Sequence, residues 1–320
     1  MLKRMSIRKI SVATLALFSL LLLYLMPSNQ ELEYTLSDKV EYEYSNSNTI
    51  VYLMDSNDYI ARTTIPGKEK DPVKQAQNAI KTLIIDSSKA EEVPNGFRGI
   101  IPAGTEIKEI SLDNQTLVVN FSRELLDINE KYEEKMIESI VYTTTSVEGI
   151  NNILIKVEGN DLKELPKSKK TLAMPLDKKY GINKNYEITT TRDIDSYTVY
   201  YVSSYNDSEY YVPVTKYINK QNKDKVKIII NELSASPIHE TNLMSYLNAN
   251  TSLINYEQDG DTFNLNFNDA ILENKSSNKI LEEVIYTISL SLNDNYNVKE
   301  VNFLVNNKEI CKNLTKTLEQ

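Results

Sequence analysis

The chain has 320 residues, 41% of them hydrophobic and 25% charged, which is enough apolar material for two ordinary cores and excludes global disorder. Its formal net charge is −9; residues 31–320 hold 32 basic against 45 acidic side chains, which excludes the basic stripe that nucleic acid requires. One cysteine, Cys311, and one histidine, His239, exclude an internal disulfide and supply too few ligands for a structural zinc site.

The first 27 residues carry Lys3, Arg4, Arg8 and Lys9, then seventeen uncharged residues from Ile10 to Met26, then Pro27. No small-x-small cleavage pattern follows, so an uncleaved signal-anchor helix over 10–26 is expected, with the basic tail in the cytoplasm and everything from Ser28 outside. Residues 28–48 are polar, contain no glycine and read as a linker.

Residues 49–160 read as a first domain. Strands are expected over 49–54 and 59–65, and Asp71-Pro72 supplies an N-cap and an N1 proline for a helix carrying Val73, Ala76, Ile80, Leu83 and Ile84 at helical spacing. A hairpin turning at Asn114-Gln115 follows, then a helix over about 130–147, then a strand over 153–157. The order is β(β)αββαβ. Residues 161–196 contain a Lys-rich run and two prolines and read as a connection, partly laid on the first domain through Leu172, Met174 and Leu176.

Residues 197–320 repeat that order. The segment 101–121 recurs at 247–267, an offset of 146, with Ala103 on Ala249, Thr105 on Thr251, Asp113 on Asp259, Thr116 on Thr262 and Asn120-Phe121 on Asn266-Phe267. Gly104 falls on Asn250, both residue types that reach positive φ, and Asn114-Gln115 corresponds to the Gly260-Asp261 turn. Flanking blocks match in the same order, so one folding unit has been duplicated. The expected class is α+β: two tandem small sandwich domains, each with two helices on one face of a small sheet, after an N-terminal transmembrane helix.

The run Ile101-Pro-Ala-Gly-Thr-Glu-Ile, then Leu117-Val-Val-Asn-Phe-Ser-Arg-Glu-Leu, then Ile140-Val-Tyr-Thr resembles the GerMN domain family of sporulation and germination proteins. The resemblance extends over about 49–160 and, more loosely, over 197–310. It implies a non-enzymatic envelope protein whose domains are similar to ring-building motifs and act through protein assembly. Family members are typically lipoproteins; this chain lacks a lipidation cysteine, leaving attachment to residues 10–26.

The residues themselves compose no catalytic, cofactor or metal site. The adjacent acids Glu91-Glu92, Glu133-Glu134 and Glu282-Glu283 point about 100° apart if helical and read as solvated surface. Ser122 lacks a nucleophile elbow and reads as a helix cap, and the Asp55, Asn57, Asp58 and Asp259-Gly260-Asp261 clusters read as turns rather than calcium loops. Phe121 and Phe267 read as core, and Asn120 and Asn266 as hydrogen-bonding positions beside the hairpin. The expected function is a membrane-anchored extracytoplasmic scaffold whose partners are envelope or sporulation proteins or further copies of itself. The rival is a peptidoglycan- or ligand-binding module, which would show an aromatic-lined groove between the copies; no nucleic acid is expected.

Overall fold

The computed structural model describes residues 48–219, 224–235, 242–274 and 278–314. The chain clusters into two units, Met1–Val40 and Glu41–Gln320, and every described residue lies in the second. The expected anchor helix over 10–26 and His239 lie outside the described residues; within them no helix is long and apolar enough to cross a membrane.

The first copy begins with hairpin β1 (Asn48–Asp55) and β2 (Ile60–Pro66), followed by α1 (Pro72–Leu83). Asp71 caps α1 by accepting from Val73 N–H at 2.9 Å, and Pro72 spends its missing donor where no intrahelical partner exists. After β3 (Phe97–Arg98), β4 (Ile107–Asp113) turns into β5 (Thr116–Phe121) through Asn114 and Gln115, both at positive φ. That is the backbone a two-residue hairpin matched to strand twist demands. The helix α2 (Glu133–Thr145) then leads to β6 (Asn152–Val157), parallel to β5, and the short β7 (Asn160–Asp161). β8 (Asn185–Glu187) belongs to the connection.

The second copy repeats these elements as β9 (Ile194–Tyr205), β10 (Ser208–Asn219), α3 (Lys225–Ser234), β11 (Leu253–Asp259), β12 (Thr262–Phe267), α4 (Glu282–Tyr296), β13 (Glu300–Val305) and β14 (Lys308–Leu314). The repetition reaches the register. In each four-stranded sheet, β4-β5-β6-β7 and β11-β12-β13-β14, the central pair is parallel and the outer pairs are antiparallel. Even the irregularity recurs, between Ile107 and Glu109 and between Leu253 and Asn255. One expected match fails. Gly104 has φ +78°, whereas Asn250 is not among the positive-φ residues; its N–H is held by the Asn248 side chain at 2.9 Å, so that bend closes without the left-handed state.

Two helices on one face of a single sheet is not what forms. The β1–β2 hairpin leaves the four-stranded sheet and joins a six-stranded one ordered β3-β1-β2-β10-β8, with β9 on β10. The burial pattern gives the reason: Val51, Tyr52, Leu53 and Met54 are buried in succession, so both faces of β1 must be covered, which one half-solvated sheet cannot provide. Helix α2 closes the edge of β1 as well. Ser139 Oγ donates to Tyr52 C=O at 2.6 Å and Thr143 Oγ1 accepts Tyr52 N–H at 2.9 Å, replacing the rungs a further strand would supply. In the second copy, Ser291 Oγ accepts Tyr200 N–H at 2.9 Å. The nine residues from Met136 to Thr144 are all buried, as a helix wedged between a strand edge and a second sheet requires.

Candidate functional site

The seam between the copies gathers the buried polar groups. The strand order β3-β1-β2 meeting β10-β9 is symmetric about β2 and β10, which pair antiparallel at Arg62 and Tyr211. The equivalent residues Tyr52 and Tyr200, 148 positions apart, touch hydroxyl to hydroxyl at 2.8 Å. The copies therefore meet as the protomers of an isologous dimer do, the same patch facing itself. Gly96 permits the approach: a Cβ there would fall 2.5 Å from the ring of Tyr205.

The β2–β10 ladder is short because Pro213 in β10 has no N–H to give. The connection fills the gap. Asn183, at φ +45°, accepts Ile60 N–H at 2.9 Å and donates to Ile60 C=O at 2.8 Å and Pro213 C=O at 2.7 Å, so one side-chain amide stands in for the missing rung. Its own N–H goes to Glu138 Oε2 at 2.9 Å. Replacing Asn183 by alanine strands three buried backbone groups and is expected to cost about 2–4 kcal/mol, measured by urea denaturation; a loss below about 0.5 kcal/mol would show that water serves the gap equally well.

Glu138, 2% exposed, lies 3.7 Å from Lys184. Burial pushes its carboxyl up to about 7 against the opposing pull of Lys184 and the Asn183 N–H, and burial pushes Lys184 down. On the other side of the seam Lys178 Nζ meets Asp294 Oδ1 at 2.5 Å, and Tyr200 donates to Asp294 Oδ2 at 2.6 Å. The single proton of Tyr200 being so committed, Tyr52 is the donor in the tyrosine pair. Burial, then the Asp294 charge, holds the Tyr200 phenol well above its usual range, so that proton stays in place.

An interdomain cleft of about 490 Å³ opens beside this network. Its walls carry Lys178, Asp195, Lys225, Asn293 and Asn295, and Tyr197 is the aromatic residue among them. This is an amide- and charge-lined groove, not the aromatic-lined one that a glycan module between the copies would show. The C-terminal ends of α2 and α4, at Thr145 and Asn293, both reach it, and the partial negative charge there favours the lysines.

The residues weighed from sequence fall elsewhere. Asn120 accepts Gly159 N–H and Asn266 accepts Asn307 N–H, both at 2.8 Å, so the repeated asparagine fixes the turn after the parallel strand. Asp55 accepts Asn57 and Tyr59 N–H, each at 2.8 Å, in ordinary turn geometry, and receives Tyr210 Oη at 2.9 Å from the other copy. Phe121 and Phe267 are fully buried. Cys311 is half-buried in β14, and burial, with Glu309 nearby, pushes its thiol up to about 12.

Two expectations are corrected. Glu133 is not surface: it is 1% exposed and accepts Lys167 and Ser168 N–H at 2.7 and 2.9 Å, tying the connection to α2. Ser122 occupies the cap position of a short 3-10 turn, yet its Oγ makes no cap bond and accepts Glu106 N–H at 2.9 Å. Its counterpart Asn268 accepts Ser252 N–H at 3.0 Å, so both side chains pin the bend before the hairpin. The seam residues Lys178, Asn183, Glu138 and Asp294 were missed because they belong to no motif. The signal available was Glu138 itself, an acid at a core position between Ile137 and Ile140.

The family model for Germane, described as sporulation and spore germination, matches residues 50–163 and 198–311. The chain is 30% identical over 281 residues to the spore germination protein GerM of Bacillus subtilis (strain 168), covering 85% of this chain and 75% of that protein. The solved structure of the tandem GerMN domains of the sporulation protein GerM from Bacillus subtilis superimposes with a TM-score of 0.75 at 30% identity, covering 83% of this chain and 93% of the other. With both copies matched, the chain belongs to the Germane family of sporulation and spore-germination proteins.

Proposed function

We propose that the chain is a non-enzymatic scaffold of the spore envelope, held to a membrane through residues 10–26, whose two copies form one rigid body that docks envelope proteins. The observation carrying this reading is the seam: buried hydrogen bonds and a partly buried ion pair spend the polar groups between the copies on fixing their orientation. A rigid body with fixed outer surfaces presents a partner with a preorganised interface, which lowers the ordering cost of binding. The edge strands β4 and β11 are exposed along most of their length and offer unpaired backbone for such contacts.

The test is made in the native spore former. A photo-crosslinking residue at Ser111 in β4 or Glu257 in β11 is expected to capture an envelope protein during sporulation, and deletion of the gene is expected to lower the yield of heat-resistant spores. Wild-type spore yield together with no crosslinked partner would refute the reading. Membrane attachment is read separately, by fractionating the full chain against a variant lacking residues 10–26.

A further inference from the structure

The pairing of the first hairpin decides which of its backbone groups face outward. Tyr52 turns its N–H and C=O toward α2, and Ile60 gives both of its own to Asn183, so the alternate residues Ile60, Arg62 and Thr64 of β2 point theirs away from β1. Asn183 serves Ile60, and the ladder with Tyr211 serves Arg62. Among the described residues nothing pairs with the outward N–H and C=O of the half-buried Thr64, or with its hydroxyl. Tyr52 lies opposite Arg62 and Tyr200 opposite Pro213, which puts Arg62 in the place of Pro213 and Thr64 in the place of Thr215. Thr215 is fully used: its N–H donates to Ile182 C=O at 2.8 Å and its Oγ1 accepts Ile182 N–H at 2.9 Å, with Ile182 completely buried. Two residues on, Lys184 stands 3.7 Å from Glu138. Ser291 stands where Thr143 stands, each accepting the N–H of the equivalent tyrosine, so α4 places Tyr286, Glu282 and Glu283 where α2 has Glu138, Glu134 and Lys135. The rim of the Thr64 edge is therefore the more acidic of the two. Glu283, Glu282 and Glu209 all act on the hydroxyl of Tyr211, opposed by the buried Arg62, and the Tyr286 ring lies 5.6 Å from that of Tyr211.

We propose that the β2 edge at Thr64 is a docking slot for an extended, basic segment of a partner protein, which adds there as residues 182–184 add at Thr215. An aliphatic residue of the segment hydrogen-bonds Thr64, and a lysine or arginine two positions on meets Glu282 and Glu283. The occupied twin supplies the conformation and the rim supplies the charge. Strand addition takes its affinity from main-chain hydrogen bonds and its selectivity from flanking side chains, and an acidic rim selects a cation over a carboxylate or a phosphate. The chain's own residues 28–47 match this rim poorly, with Glu31, Glu33, Asp38, Glu41 and Glu43 against Lys39. The slot belongs to the six-stranded sheet and not to β4 or β11, and its test needs no spore, so its failure and that of the scaffold reading are distinguishable.

The probe is a synthetic peptide copying residues 178–188, which carries three lysines against Glu187, added to the full chain. Saturating peptide is expected to slow hydrogen exchange at the Thr64 amide about tenfold and to leave the Thr215 amide, already bonded to Ile182, unchanged. The same peptide with its lysines replaced by glutamate is expected to give no protection. Glu283→Lys in the chain is expected to raise the peptide Kd about tenfold at an unchanged melting temperature. If that variant loses cooperative melting, Glu283→Gln repeats the measurement. The proposal is overturned by no slowing at Thr64, by equal binding of the lysine and glutamate peptides, or by a Thr64 amide already slow in the wild-type chain and released by deleting residues 28–47.

Discussion

Lys178→Met is expected to destabilise the chain by about 3 kcal/mol and to uncouple the copies, so that one cooperative urea transition becomes two. The Asp294 side chain, 3% exposed, lies near the C-terminal end of α4, where the helix dipole already disfavours a negative charge. Its two oxygens are served by Lys178 Nζ and the Tyr200 hydroxyl. Remove the ammonium and the carboxylate keeps the Tyr200 hydrogen bond and loses the cation that contacts it. Losing one partner of a fully buried pair costs about 3–5 kcal/mol, and the 26% exposure of the Lys178 side chain places this case at the low end. The effect spans the seam because the network does: Tyr52 and Tyr142 come from the first copy, Lys178 from the connection, and Tyr200 and Asp294 from the second. Tyr142 Oη also donates to Lys178 C=O at 3.1 Å, which holds the backbone in place when the side chain is changed. Burial presses the ammonium toward neutrality and Asp294 outweighs it, leaving the lysine above its usual range. This contribution is therefore complete below the ordinary lysine pKa and is lost as pH rises through the raised value. Adding Asp294→Asn to Lys178→Met is expected to recover most of the loss, because the orphaned charge and not the missing contact carries the cost. A single mutant within about 0.5 kcal/mol of wild type would mean that the pair is solvated and that something else orients the copies.

The duplication was legible because it is written in side chains that serve local geometry. Asn114-Gln115, Asp71-Pro72, the alternation of Leu117, Val119 and Phe121, and Asn120 with its twin Asn266 each fix a turn, a cap or a face that depends on near neighbours in sequence. The placement of β1 was not. Its run of buried residues reads equally as a strand within its own domain's sheet or as one shared with another, and only the second copy's hairpin decides the matter. β14 was missed because Lys308, Glu309, Lys312 and Asn313 mask the two-residue period around Ile310. The seam is illegible for a related reason. Asn183 sits in the connection between the copies, and its value arises from the proline at position 213, thirty residues away, whose missing N–H no local reading connects with it. Glu133 looks like the solvated face of a helix until two sheets and the connection surround that helix.

Glu138 gives the second large effect, and its sign is fixed by burial. Its carboxyl titrates near 7 in the folded chain and near the ordinary glutamate value of 4.5 when unfolded. A raised carboxyl contributes stability that is complete below the unfolded value and lost as pH rises through the folded one. At 1.36 kcal/mol per pH unit, that interval amounts to about 3 kcal/mol lost between pH 4.5 and 7, most of it before neutrality. Lys184 and Lys135 oppose the shift and Glu134 adds to it. Lys135 is itself pushed down by burial. Glu138→Gln is neutral at every pH and keeps an oxygen for the Asn183 N–H. Wild type is therefore expected to lose about 2–3 kcal/mol relative to this variant between pH 5 and pH 8, measured by urea denaturation across that range. The comparison is clean because His239 is the sole histidine in the chain and is present in both proteins, so its titration cancels. Parallel profiles would show that the ion pair with Lys184 keeps the carboxylate charged throughout. A divergence of the expected sign would make the seam weaker at alkaline than at acidic pH, loosening the contact through which α2, the connection and β10 orient the two copies.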